Sequence, residues 1–179
     1  MNEALDRLAT QLDLAASGNE RLRLEFANAC TLRVKHLLEE PAVLECLNVL
    51  GQYLEGSVGH AQLERAATET IRLANHHQGS KSIDGCGHAA VSATYAVANA
   101  LSGKAVQAAE YAAYASVYGH GGYGAVADLE SFQPEFSWQV GCLASLAARR
   151  VSATGVIRPL QSRHKPATRR PAMRTPVSA

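Results

Sequence analysis

Residues 84–124 read DGCGHAAVSATYAVANALSGKAVQAAEYAAYASVYGHGGYG. Alanine recurs on nearly every turn of two segments, 89–101 and 105–118, which Ser102-Gly103 separates. Side chains this small let helix axes approach closely, so the pair is expected to form a buried antiparallel hairpin at the centre of the domain. Asp84 is the expected N-cap of its first helix. The run GHGGYG after Tyr118 is expected to end the second, because each glycine costs about 1 kcal/mol there relative to alanine.

The flanking sequence supplies further amphipathic helices. Residues 2–16 place Leu5, Leu8 and Leu12 at helical spacing, and Asn19 is the expected N-cap of the next helix. That helix carries Leu22, Phe26, Cys30, Val34 and Leu37 on one stripe. Pro41 suits the first turn of a third helix with Val43, Leu47, Leu50 and Leu54 inward, and Gly56 closes it. A fourth, HAQLERAATETIRLANHH, presents the stripe Leu63, Ala67, Ile71 and Ala74. Gln133-Pro134 opens a last helix with Phe136, Val140, Leu143 and Ala147 on one face and Trp138 on another. No segment alternates with a period of two. The fold class is therefore all-α: an antiparallel bundle of about six or seven helices around the Ala-rich hairpin.

A chain of 179 residues, 47% of them hydrophobic, suits one domain plus a tail: a helical domain over 1–150 and a basic, Pro-rich tail over 151–179, expected to be disordered. Of 17 basic residues, six (Arg158, Arg163, Lys165, Arg169, Arg170 and Arg174) lie in 158–179, which holds no acid. The remaining 11 face 16 acids, so the net +1 divides into a −5 body and a +6 tail. An acidic body disfavours nucleic acid as a partner and favours a basic protein, while the tail could touch RNA, DNA or an anionic surface. The Ala-rich runs 89–101 and 105–118, broken by Asn99, Lys104, Gln107 and Glu110, would make poor membrane spans, so no membrane partner is expected. No secretory leader or membrane span is legible, and four cysteines without CxxC spacing suit a reducing, cytoplasmic setting.

Chemical motifs are weak. Gly85-Cys86-Gly87-His88-Ala89-Ala90 has the spacing of a dinucleotide loop but lacks the strand that such a loop must follow. His76, His77, Cys86, His88 and His120 lack the close pairs by which zinc sites announce themselves, so no metal or cofactor is expected. His88, Glu110 and His120 are polar core candidates. Glu110 shares its helical side with Val106, Ala113, Tyr114 and Val117, where a carboxylate could act as an acid or base. Tyr111, Tyr114 and Tyr118 form a stripe that core packing explains. No nucleophile elbow or phosphate loop occurs, so no catalytic set is assigned.

Four segments together carry a resemblance: Ala27–Leu38, Leu44–Gly56, Gly87–Ala115, and Trp138-Gln139 with Leu143. Over roughly residues 20–147 the chain resembles the all-helical immunity proteins of bacterial polymorphic toxin systems, specifically the fifth immunity family. Cys30 matches a cysteine of that family. The chain departs from the pattern in having Tyr53 as the aromatic of the second helix, Gly141-Cys142 in place of a charged or bulky pair, and Ala144 where proline follows the leucine. The resemblance implies a non-enzymatic, cytoplasmic protein that binds and neutralises a cognate toxin. Glu39, Glu40, Glu45 and Glu55 are the partner-binding candidates, steering onto a basic toxin surface. Two other readings stand beside it: a ligand-binding protein or small enzyme using His88, Glu110 and His120, and a general protein-interaction module.

Overall fold

The alanines of the 84–124 stretch pack as their size allows. In the computed structural model, which describes residues 1–79 and 87–154, helices α5 (His88–Leu101) and α6 (Ala105–Val126) run antiparallel about the turn at Ser102-Gly103. Ala89, Ala93, Ala96 and Ala100 on α5, with Ala108, Ala109, Ala112 and Ala115 on α6, are fully buried. The other helices are α1 (Glu3–Gln11), α2 (Glu20–Arg33), α3 (Pro41–Glu55), α4 (His60–His76) and α7 (Gln133–Thr154), with 3₁₀ turns at Ser17–Asn19, Lys35–Leu37 and Leu129–Phe132. Helix α5 lies among α2, α3, α4 and α6, while α7 closes over α1, α2 and α6. The described residues form an all-helical bundle with no strand. None of the described helices is long and apolar enough to cross a membrane.

The apolar stripe of α3 lies where periodicity places it: Val43, Leu47 and Leu50 are buried, and Leu54 packs against the same core. On α2 Leu22, Phe26 and Cys30 are buried as expected, but the helix ends at Arg33, so Val34 and Leu37 reach the core from the turn beyond it and not from the same helix. Pro41 is the first residue of α3, and Gly56 ends that helix at φ +79°. A side chain built on Gly56 would meet no atom within 4 Å, so only the left-handed backbone resists one. Gly56→Ala is accordingly expected to cost about 1 kcal/mol, read as a lower denaturation midpoint. An unchanged midpoint would mean that α3 ends equally well in another conformation.

Elsewhere tertiary packing overrules the local pattern. Helix α1 ends at Gln11, short of the expected 16, with Asp13 at φ 46°. Asn19 occupies the N-cap position of α2, yet its amide donates backward to the carbonyls of Leu12 and Asp13. It satisfies the end of α1 instead of the start of α2. On α4 the buried positions are Leu63, Ala66, Thr70 and Ala74, and Ile71 is 44% exposed, so the inward face is rotated from the expected one. Thr70 is tolerated inside because its hydroxyl donates to the Ala66 carbonyl at 2.7 Å. The last helix shows the same correction: Glu135, Gln139 and Leu143 are buried, whereas Phe136, Val140 and Ala147 are half-buried.

The glycine run does not stop α6 at Tyr118. Helical geometry continues to Gly121, breaks at Gly122 (φ 61°, ψ −152°), and resumes to Val126. Gly119 lies against Leu37, where an added Cβ would sit 3.1 Å from a leucine methyl. Its glycine therefore serves close approach, and the chain bends three residues later. Helix α7 runs to Thr154, past the expected domain end at 150. The expected Asp84 cap, Cys86 and the tail from 155 onward lie outside the described residues.

Candidate functional site

Helix α3 contains fifteen residues and no lysine or arginine. Its exposed positions are Pro41, Glu45, Asn48, Gln52 and Glu55, steps of four and three that define one outward face. Glu39 and Glu40 precede it, both half-exposed, with Glu40 at the N-cap position. Acids there complement the positive end of the helix dipole, which is a stabilising role independent of any partner. The four candidate glutamates do not form one cluster. Helical rise puts Glu55 about 22 Å from Glu40, so Glu39, Glu40 and Glu45 mark one end of the face and Glu55 the other.

Two cations near α3 are already engaged. Arg21 pairs with Glu25 at 2.8 Å and donates to the Leu54 carbonyl at 2.9 Å, closing the C-terminal end of α3. On α4, Arg72 grips Glu69 through two hydrogen bonds of 2.6 and 2.9 Å. Those hydrogen bonds hold the Glu69 carboxyl below its ordinary range and raise Arg72, with Glu40 adding a smaller part to the latter. What remains between them is a strip of carboxylates and amides, able to accept and donate hydrogen bonds to a partner.

A second polar constellation lies where the end of α2 meets the start of α7. The Arg33 guanidinium contacts Glu135 through Nε (2.9 and 3.2 Å) and Nη2 (2.8 Å) and lies 4.1 Å above the Trp138 ring. The Glu135 side chain is 5% exposed and that of Arg33 41%. One turn on, the fully buried Gln139 donates to the Ala109 carbonyl of α6 at 2.8 Å and accepts from Asn2 at 3.3 Å. Asn2 in turn caps α1 by accepting from the Leu5 amide. Two residues thus join α1, α6 and α7. Arg33, Glu135, Ser116, His120, Ser131 and Pro134 line a cleft of about 480 Å³. Its only arginine is already neutralised by the glutamate, which leaves little charge for binding an ion.

Burial pushes the Cys30 thiol well above its ordinary range, with Cys142 and Glu135 adding to the rise and Arg33 opposing it. Burial also raises Cys142, against Arg149 and Arg33. Both thiols stay protonated at neutral pH, and a protonated thiol is a poor nucleophile and metal ligand.

The three polar core candidates are not core residues and do not meet. His88 is exposed and packs its ring on Tyr118 and Tyr123, both at 5.4 Å. His120 is also exposed, and it borders the Arg33–Glu135 cleft, its Nδ1 bonded to the Ser116 carbonyl at 2.7 Å. Two residues along a helix point to nearly opposite sides, so Tyr118 and His120 direct their neighbourhoods apart. Glu110 is half-buried, about 15 Å of helix from His120, beside Asn2, Leu5, Phe136 and Gln139. Among the described residues no three His, Cys, Asp or Glu side chains gather as a metal ion would require.

Sequence reasoning did not find the Arg33–Glu135–Trp138 set. The partners are 102 positions apart, and the one available signal was an arginine in a last helical turn and a glutamate in a first turn. Compared with models of protein families, with curated proteins and with solved structures, the chain has no match.

Proposed function

We propose that this chain is a non-enzymatic binding protein of the immunity type, which neutralises a basic protein toxin by covering it with the outward face of α3. The observation that carries the reading is that face: Glu45, Asn48, Gln52 and Glu55 exposed along a fifteen-residue helix without a single cation. The −5 charge of residues 1–157 supports it, because a surface of one sign raises the encounter rate with a partner of the other. The resemblance of four segments to an immunity family points the same way. His88, Glu110 and His120 stand apart and the Cys30 and Cys142 thiols are held protonated, so the residues at hand favour binding over chemistry. In this mechanism the acids steer the toxin, the amides of Asn48 and Gln52 fix its register, and its active surface is occluded.

Co-expression with the products of adjacent genes tests the reading. The full chain is expected to rescue growth from one of them and to form a complex with it. Reversing Glu45 and Glu55 to lysine is expected to slow association roughly tenfold at low salt, with the difference shrinking as salt rises. Failure to rescue or bind any neighbour's product would overturn the proposal. A complex unaffected by the reversal would remove α3 from it.

A further inference from the structure

One side of the α5–α6 hairpin carries rings rather than charges. Tyr95 of α5 stacks on Tyr111 of α6 with centroids 5.2 Å apart and planes at 21°. Seven residues along each helix, His88 lies on Tyr118 at 5.4 Å, and Tyr123 closes edge-on against both at 5.4 and 5.7 Å. The two ring contacts therefore recur about 10 Å apart on the same side of the hairpin. Tyr111 is 37% exposed and Tyr123 56%. The Tyr95 hydroxyl is pinned to Asn75 of α4 at 3.2 Å, which orients the stacked pair. Helix α5 has no charged residue and α6 has only Glu110. Exposed aromatics with charge withdrawn are the composition of an interface centre.

We propose that this tyrosine face is the docking surface for residues 158–176 of the same chain, whose proline rings and guanidinium planes lie across the tyrosines. The segment holds Pro159, Pro166, Pro171 and Pro176 among six cations and no acid. Proline-rich segments dock on aromatic grooves because their extended form is already ordered. Guanidinium groups stack on tyrosine faces for the same electrostatic reason that Arg33 lies on Trp138. The −5 body attracts the +6 segment over distance, and the uncharged face supplies the contact. Reach is not limiting. From Thr154 to Pro171 the chain extends about 50 Å at ~3.1 Å per residue, more than the width of a domain with a radius of gyration of about 15 Å. The α3 face is a different surface, so this inference does not depend on the proposed toxin.

Fluorine NMR of the full chain, labelled with 3-fluorotyrosine, resolves the question through its six tyrosines. The substitutions R169Q, R170Q, R174Q and P171A change no residue of the described core, whose last member is Ala147. The signals of Tyr95, Tyr111, Tyr118 and Tyr123 are expected to shift on that substitution, and Tyr53 on α3 to stay. The shift is expected to be independent of protein concentration. In the converse experiment Tyr123→Ala, at an exposed site, is expected to raise the backbone mobility of residues 158–176 in amide relaxation. Tyrosine signals unmoved by the tail substitutions would overturn the proposal. So would an equal shift at Tyr53, which would mean diffuse attraction to the acidic body. A dilution-dependent shift would replace the tail with a second copy of the chain.

Discussion

Replacing Arg33 by methionine is expected to destabilise the fold by about 3 kcal/mol, measured by urea denaturation, which leaves charge interactions unscreened. The loss comes from Glu135. Its carboxylate is 5% exposed and held by three contacts from one guanidinium, so removing that partner strands a charge away from water. The lower end of the range for a broken buried pair applies because Arg33 itself is 41% exposed and solvent already shares the interaction. Loss of the guanidinium from the Trp138 face adds roughly 0.5–1 kcal/mol to that figure. Arg33→Met combined with Glu135→Met is expected to recover most of the deficit, since two apolar side chains leave nothing unpaired. A single-variant cost under ~1 kcal/mol would show that Glu135 is solvated in solution like a surface acid.

The second large effect concerns the hairpin. Ala93→Leu is expected to cost about 3 kcal/mol, at the upper end for methylenes forced into a packed interior. Ala93 is fully buried on α5, whose neighbours α2, α3, α4 and α6 leave it no direction in which to move. A leucine there must either part the helices or take a strained rotamer. The same substitution at Ala61, exposed on α4, is the control and is expected to be close to neutral, since leucine and alanine differ little in helix propensity. Equal effects at the two sites would mean that the small residues reflect helix propensity and not close packing.

The two proposals place two kinds of recognition on separate surfaces, the acidic α3 face and the tyrosine face. The first would act through carboxylates and amides on one helix, and the second through rings shared by two. Each is open to substitutions that leave the other intact, which makes the two proposals independently testable.

How much of this was legible beforehand depended on the range of the interaction involved. Pro41 and Gly56 bound α3 because their backbone preferences are local and act whatever surrounds them. On α2 the stripe Leu22, Phe26 and Cys30 was legible from its four-residue spacing, but the burial of Leu24, Ala27 and Thr31 beside it was not, because only packing by several neighbouring helices buries more than one face. Ile71 misled because its helix offers small residues on adjacent faces, and the fit against neighbouring helices chose Ala66 and Thr70 instead. Glu135 and Gln139 misled for the opposite reason. They look like surface residues until Arg33, Asn2 and the Ala109 carbonyl arrive from other helices to satisfy them. His88, Glu110 and His120 seemed to belong together because the central stretch holds all three, but helical geometry points their surroundings apart.

By itself, then, the sequence determined the helical class, most helix limits, the close-packed alanine pair and the split between an acidic body and a basic tail. These follow from backbone preference, periodicity and composition, which act over a few residues or over the whole chain at once. Tertiary structure alone decided that the glycine run bends at Gly122 and not at Tyr118, that a glutamate and a glutamine fill core positions, and that Tyr95 of one helix stacks on Tyr111 of the next. Each of those outcomes depends on which atoms distant parts of the chain bring within a few ångströms, and no local preference contains that information.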